Sequence, residues 1–158
     1  MATIKYTALE AIVLESAASS VSFFGIPQSY RDLYLVLNYS GSNTTNAGKI
    51  FVNNDTTSTN YTGVRMLGTG SATQSNSNAG SIRWETQSTS GSITVLHFLD
   101  YAQTDKHKTV IVTAGSAATN TEMATTRWTS TAAINSITVN FLGTDLTIGS
   151  TLELYGVK

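Results

Sequence analysis

Apolar residues recur at every second position in short runs along this chain, and that period decides what it can fold into. Ile137, Val139 and Phe141 alternate with Ser136, Thr138 and Asn140. Val21 and Phe23 alternate with Ser20 and Ser22, and Leu152 and Leu154 with Glu153 and Tyr155. Ile93, Val95, His97 and Leu99 share one strand face, which puts His97 on an apolar side. Val110 and Val112 point away from Thr109, Ile111 and Thr113. Leu33, Leu35 and Leu37 share a face while Tyr34 and Val36 take the other, as in a strand covered on both sides. A period of two means strands with one face inward.

Turn-rich stretches separate the runs: 39–48, 68–80 and 115–121 are built from Gly, Ser, Thr, Asn and Ala with few large residues. About eight to ten strands at roughly ten-residue spacing predict an all-β, antiparallel two-sheet β-sandwich of jelly-roll type. Helix is expected only as short turns at Tyr6–Glu15 and Asp55–Tyr61. The 158 residues suffice for one domain with a real core, so 1–158 reads as a single sandwich. Met1–Thr7 carries no strand pattern and is expected to be an N-terminal arm, with Lys5 and Tyr6 docking on a partner.

Composition then says what the outer faces carry. Ser and Thr fill 45 of 158 positions, and charged residues make up 12%, about half the usual share. Hydroxyls therefore replace lysines and glutamates on the exposed strands. Few charges leave sheet edges poorly protected, a condition that suits a protein embedded in an assembly. The net charge of -1 and nine scattered Lys and Arg give no nucleic-acid footprint. Apolar runs such as Ala11–Leu14 are too short to span a bilayer. With no cysteine there is no disulfide and no thiolate metal site. The N-terminus lacks the basic and apolar regions of a signal peptide.

Residues that carry chemistry elsewhere do not assemble into a motif here. His97 and His107 have no second ligand at metal spacing. Ser is abundant, but no G-x-S-x-G elbow activates one. Glu85 and Asp100 are the one carboxylate pair to weigh for glycoside chemistry; ion pairs to Arg83 or Lys106 are the simpler expectation. Asn53-Asn54-Asp55 approaches a calcium loop but reads as a turn. Four N-x-S/T sequons, at Asn38, Asn43, Asn54 and Asn60, compare with about three expected by chance. Tyr61, Trp84 and Trp128 suit packing between sheets better than stacking on a sugar. The chain is expected to be no enzyme and to need no cofactor.

Several strings, in order, carry a resemblance. They are Ile26-Pro27-Gln28-Ser29-Tyr30-Arg31-Asp32-Leu33, Asn60-Tyr61-Thr62-Gly63, Phe98–Thr109 (FLDYAQTDKHKT), Trp128–Thr138 (WTSTAAINSIT) and the ending Gly149–Lys158 (GSTLELYGVK). From about Ser16 onward the chain resembles a family of small β-rich, jelly-roll-like virion structural proteins of tailed phages of aquatic bacteria, including cyanophages. The resemblance implies a module on the outer surface of the particle, made in the host cytoplasm. It carries no catalytic residue. Without a fibre or coiled-coil extension, the chain is expected to be a capsid decoration protein whose partner is the major capsid protein, with self-association as a further expectation. The alternative is a receptor-binding or glycan-recognising module of a tail or fibre. Within this picture Asp100–Lys106 joins two strands, Pro27 follows a strand end, and Gly156 marks a close backbone approach or a bend in the last strand.

Overall fold

The structure, a computed structural model, describes residues 5–42, 48–85, 88–117, 120–141 and 143–158. Twelve strands are found among them: β1 Tyr6–Val13, β2 Ser20–Phe23, β3 Asp32–Tyr39, β4 Gly48–Val52, β5 Tyr61–Gly68, β6 Thr73–Ser77, β7 Ile82–Trp84, β8 Ser92–Leu99, β9 Lys108–Ser116, β10 Thr121–Trp128, β11 Ile137–Phe141 and β12 Thr151–Val157. All pairings are antiparallel. One sheet has eight strands in the order β1-β12-β3-β8-β9-β10-β5-β6, and the other has four in the order β2-β11-β4-β7. The expected two-sheet β-sandwich is present, with an uneven split between its layers. The single helical turn described, Ser58–Asn60, falls inside the stretch expected for it.

The second expected helical turn, over Tyr6–Glu15, is a strand instead. β1 pairs with β12 from Tyr6↔Val157 to Val13↔Thr151, with a bulge between Ala8 and Glu10. Leu9 and Ile12 both pack on the core although they lie three residues apart. That spacing imitates a helix period; the bulge, which inserts an extra residue on one strand, produces it. The same pairing corrects the limits of the N-terminal arm. Tyr6 and Thr7 belong to the sheet, paired with Val157 and Gly156, and the Lys5 carbonyl accepts from Lys158 N. The rest of the expected arm, 1–4, lies outside the described residues.

The alternating runs supply the core. Leu33, Leu35, Leu37, Leu96, Phe98, Val110, Val112, Leu152 and Leu154 line the inner face of the large sheet, and Phe23, Ile50, Val52, Ile82, Trp84, Ile137, Val139 and Phe141 that of the small one; all are buried. Trp84 donates from Nε1 to Tyr39 Oη at 2.7 Å and stands edge-on to Phe141. Gly156 works as expected: a Cβ there would lie 2.5 Å from the Tyr30 ring. Asp100–His107 makes the β8–β9 connection, closed by Asp100 and Lys106 at 3.1 Å. No helix among the described residues is long and apolar enough to cross a membrane, which leaves membrane β-barrels unaddressed.

Candidate interaction face

The two outer faces of the sandwich differ. On the small sheet the outward positions include Ser20, Ser22, Lys49, Arg83, Thr138 and Asn140 around one aromatic, Phe51, and Ser22 Oγ meets Thr138 Oγ1 at 3.0 Å. On the large sheet the register runs a largely apolar row across β5, β10, β9, β8 and β3, which ends at Glu153 of β12. Met66 pairs with Met123, Met123 with Thr113, Thr113 with Val95, and Val95 with Val36. The next row runs Val64, Thr125, Ile111, His97, Tyr34. Val64 is 63% exposed, Met66 60%, Ile93 52% and Met123 51%. Single exposed apolar residues are ordinary, but residues made neighbours by strand register form a patch, and patches mark contact surfaces.

A groove of about 890 Å³ runs into this face, lined by residues of β5, β6, β8, β9 and β10 that include Met66, Ile93, Val95 and Met123. Two glycines shape it. Gly68 and Gly115 flank Thr121 across three strands, and a Cβ on Gly115 would have open space around it. Missing side chains in a strand row leave a depression that a partner can fill.

The phase of β5 and β10 is set from the opposite side. Arg65 and Glu122 point inward, where hydrophobic residues are the default. Arg65 Nη1 lies 2.6 Å from Glu85 Oε2 and 3.6 Å from Glu122 Oε1, and the Glu85 backbone N–H donates to Glu122 Oε2 at 2.7 Å. Burying these charges requires this pairing. With Arg65 and Glu122 turned in, Val64, Met66 and Met123 must turn out, because neighbouring residues of a strand point to opposite faces.

The far end of the face holds an aromatic ladder. Tyr6 meets Tyr34 edge-on at 5.5 Å, and Tyr34 stacks on His97 at 4.2 Å. His97 Nε2 lies 3.3 Å from Asp32 Oδ2 without the alignment of a hydrogen bond. Burial would raise the Asp32 pKa, but hydrogen bonds from the Asp100 N–H at 2.8 Å and from Arg31 Nε at 2.9 Å outweigh it and hold the carboxyl below its ordinary value. Of the two residues expected at a partner interface, Tyr6 is exposed on the β1 edge beside this ladder, and Lys5 is exposed just before it. Both lie at the opposite side of the sheet from the methionine groove.

The other candidates are not brought together. His97 stands on the outer face and His107 in the exposed β8–β9 connection. Glu85 pairs with Arg83 and Arg65 while Asp100 pairs with Lys106, so the two carboxylates have separate cationic partners. The side-chain oxygens of Asn53 and Asp55 are occupied by N–H donors: Asn53 Oδ1 accepts from Asn135 N at 2.8 Å, and Asp55 Oδ2 from Trp128 Nε1 at 2.7 Å and Asn60 Nδ2 at 2.8 Å. Among the described residues no group of three or more His, Cys, Asp or Glu is placed to hold a metal. Tyr61, Trp84 and Trp128 are buried, with no ring face open for a sugar. The methionine patch was missed because an Arg between Val64 and Met66 reads as the outward residue. The signal that finds it is a distant one, Glu122 next to Met123 on the partner strand.

No protein family, curated protein or solved structure matched the chain.

Proposed function

We propose that this chain is a structural protein of a tailed-phage virion, a decoration protein that coats the outer surface of the head. The observation that carries the reading is the exposed apolar patch of Val64, Met66, Ile93 and Met123 on the outer face of the large sheet, set against a hydroxyl-rich outer face on the small sheet. A sandwich with one adhesive and one water-compatible face can lie on a protein shell and present its other side to solvent. The major capsid protein is the partner, and the methionine groove is the part of the face that docks. The resemblance to phage virion proteins supports this reading, as does a surface too poor in charge to depend on ion pairing. The role is mechanical: added contact area across neighbouring shell subunits, with no chemistry and no cofactor.

The test is to mix the purified protein with undecorated heads and count copies bound per particle at low and high salt. Specific attachment buries about 1,000 Å² or more per copy. Saturation at a symmetry-allowed number, little altered by salt, supports the proposal. Failure to bind heads, combined with binding to host cells or their surface polysaccharide, transfers the assignment to receptor recognition.

A further inference from the structure

We infer that β6 is a self-pairing edge through which two copies of this chain join into one continuous sheet. The inference rests on how differently the four sheet edges are finished. β1 is long, but it carries Glu10 and a bulge that breaks its register. β2 has four residues, and the chain before it turns in at Ala18 to bridge Leu146. β7 has three residues, one of them Arg83. Short length, charge and bulges are the usual protections of an edge. β6 is also short, but it has neither charge nor bulge. Its five residues, Thr73-Gln74-Ser75-Asn76-Ser77, are all exposed, uncharged and free of Gly and Pro, and they run in unbroken register from Val64↔Ser77 to Gly68↔Thr73.

The occupant that fits is a second copy, because the strand is complementary to itself. A two-fold axis normal to the sheet through Ser75 sets two β6 strands antiparallel. Thr73 then faces Ser77 of the second copy, Gln74 faces Asn76, and Ser75 faces Ser75. Each pair is neutral and able to hydrogen-bond across the strands, and no like charges meet. Register places Thr73, Ser75 and Ser77 on the same side as Gly68, Met66 and Val64. The axis therefore leaves the apolar faces of both copies on one side, with their two methionine grooves adjacent to the junction. A shell protein would meet a bivalent surface, which raises avidity without new contacts. The pairing is a property of the free protein and stands independently of which partner that surface meets.

The chain has no cysteine, so one substitution gives a single reporter thiol. Ser75→Cys should form a disulfide-linked dimer under mild oxidation, while Ala11→Cys on the exposed β1 edge should not. In sedimentation across a concentration series the unmodified protein should show a monomer–dimer equilibrium. Ser75→Lys, which sets two like charges at the axis, should weaken it about tenfold or more. Thr73→Lys combined with Ser77→Glu places opposite charges across the junction and should leave the dimer intact or tighter. Far-UV circular dichroism verifies that each variant is folded. A monomer at every concentration overturns the inference. So does equal cross-linking of the two cysteine variants, or equal weakening by the two charge designs. Cross-linking of Ser75→Cys to the shell protein on heads, with none between copies, also overturns it and assigns β6 to a heterologous strand.

Discussion

Asp55 shows how much of this fold hangs on single polar side chains. Its carboxylate accepts from Trp128 Nε1, from Asn60 Nδ2 and from Thr57 N, and so ties the turn before β5 to the end of β10. The Trp128 hydrogen bond is the largest influence on its pKa, which falls from 3.8 to about 2 despite partial burial. A depressed carboxylate pKa stabilises the fold above the unfolded value and loses that contribution as pH falls through the folded one. Stability is therefore expected to drop between pH 3.8 and about 2, and Asp55→Asn should flatten that limb while costing on the order of 1–2 kcal/mol at neutral pH. Denaturant melts across this pH range check both. Phe141, buried against Tyr39 and Trp84, gives a second residue-scale prediction: Phe141→Ala should cost about 3–5 kcal/mol, seen as a clear fall in Tm. The inward place of Phe141 was readable in advance, since polar neighbours on both sides leave one face for it. Arg65 was not. Its inward direction depends on Glu85 and Glu122, 20 and 57 positions away along the chain, and alternation carries no information about such partners.

At the scale of elements, apolar strand interiors were legible and strand phase was only partly so, while the all-polar β6 falls inside the stretch 68–80 expected to be a turn. β3, β9, β11 and β12 bury the residues their alternation selects, because apolar and polar positions are cleanly separated there. In β8 both faces carry apolar residues. Thr94, Leu96 and Phe98 face inward, and Ile93, Val95, His97 and Leu99 lie on the outer face. A run that is apolar on one side and mixed on the other does not announce which side is the core. β1 escaped notice for a different reason: its bulge replaces the period of two with a spacing that suits a helix as well. The corrected strand carries its own expectation. Deleting the chain through Thr7 removes two pairs with β12 and should lower stability by about 1 kcal/mol, a shift readable in thermal melts of the truncated protein.

Across the whole molecule, the two sheets divide the work. The small sheet closes the core and shows water a hydroxyl-rich surface. The large sheet closes the same core and keeps an apolar patch on its outer face that the described residues leave exposed. The composition indicated that surface charge would be low, but only the register of β5, β10, β9 and β8 shows where the uncharged surface is adhesive. In the proposed function, this face attaches the protein to phage heads. The direct measurement is head occupancy, in copies per particle, for the unmodified protein, for Met123→Glu on the large-sheet face and for Asn140→Glu on the small-sheet face. A carboxylate at position 123 must be desolvated if the face docks, so Met123→Glu should lower affinity at least tenfold, while Asn140→Glu should bind as the unmodified protein does. Equal occupancy by all three, or a loss confined to Asn140→Glu, would rule out docking through this face.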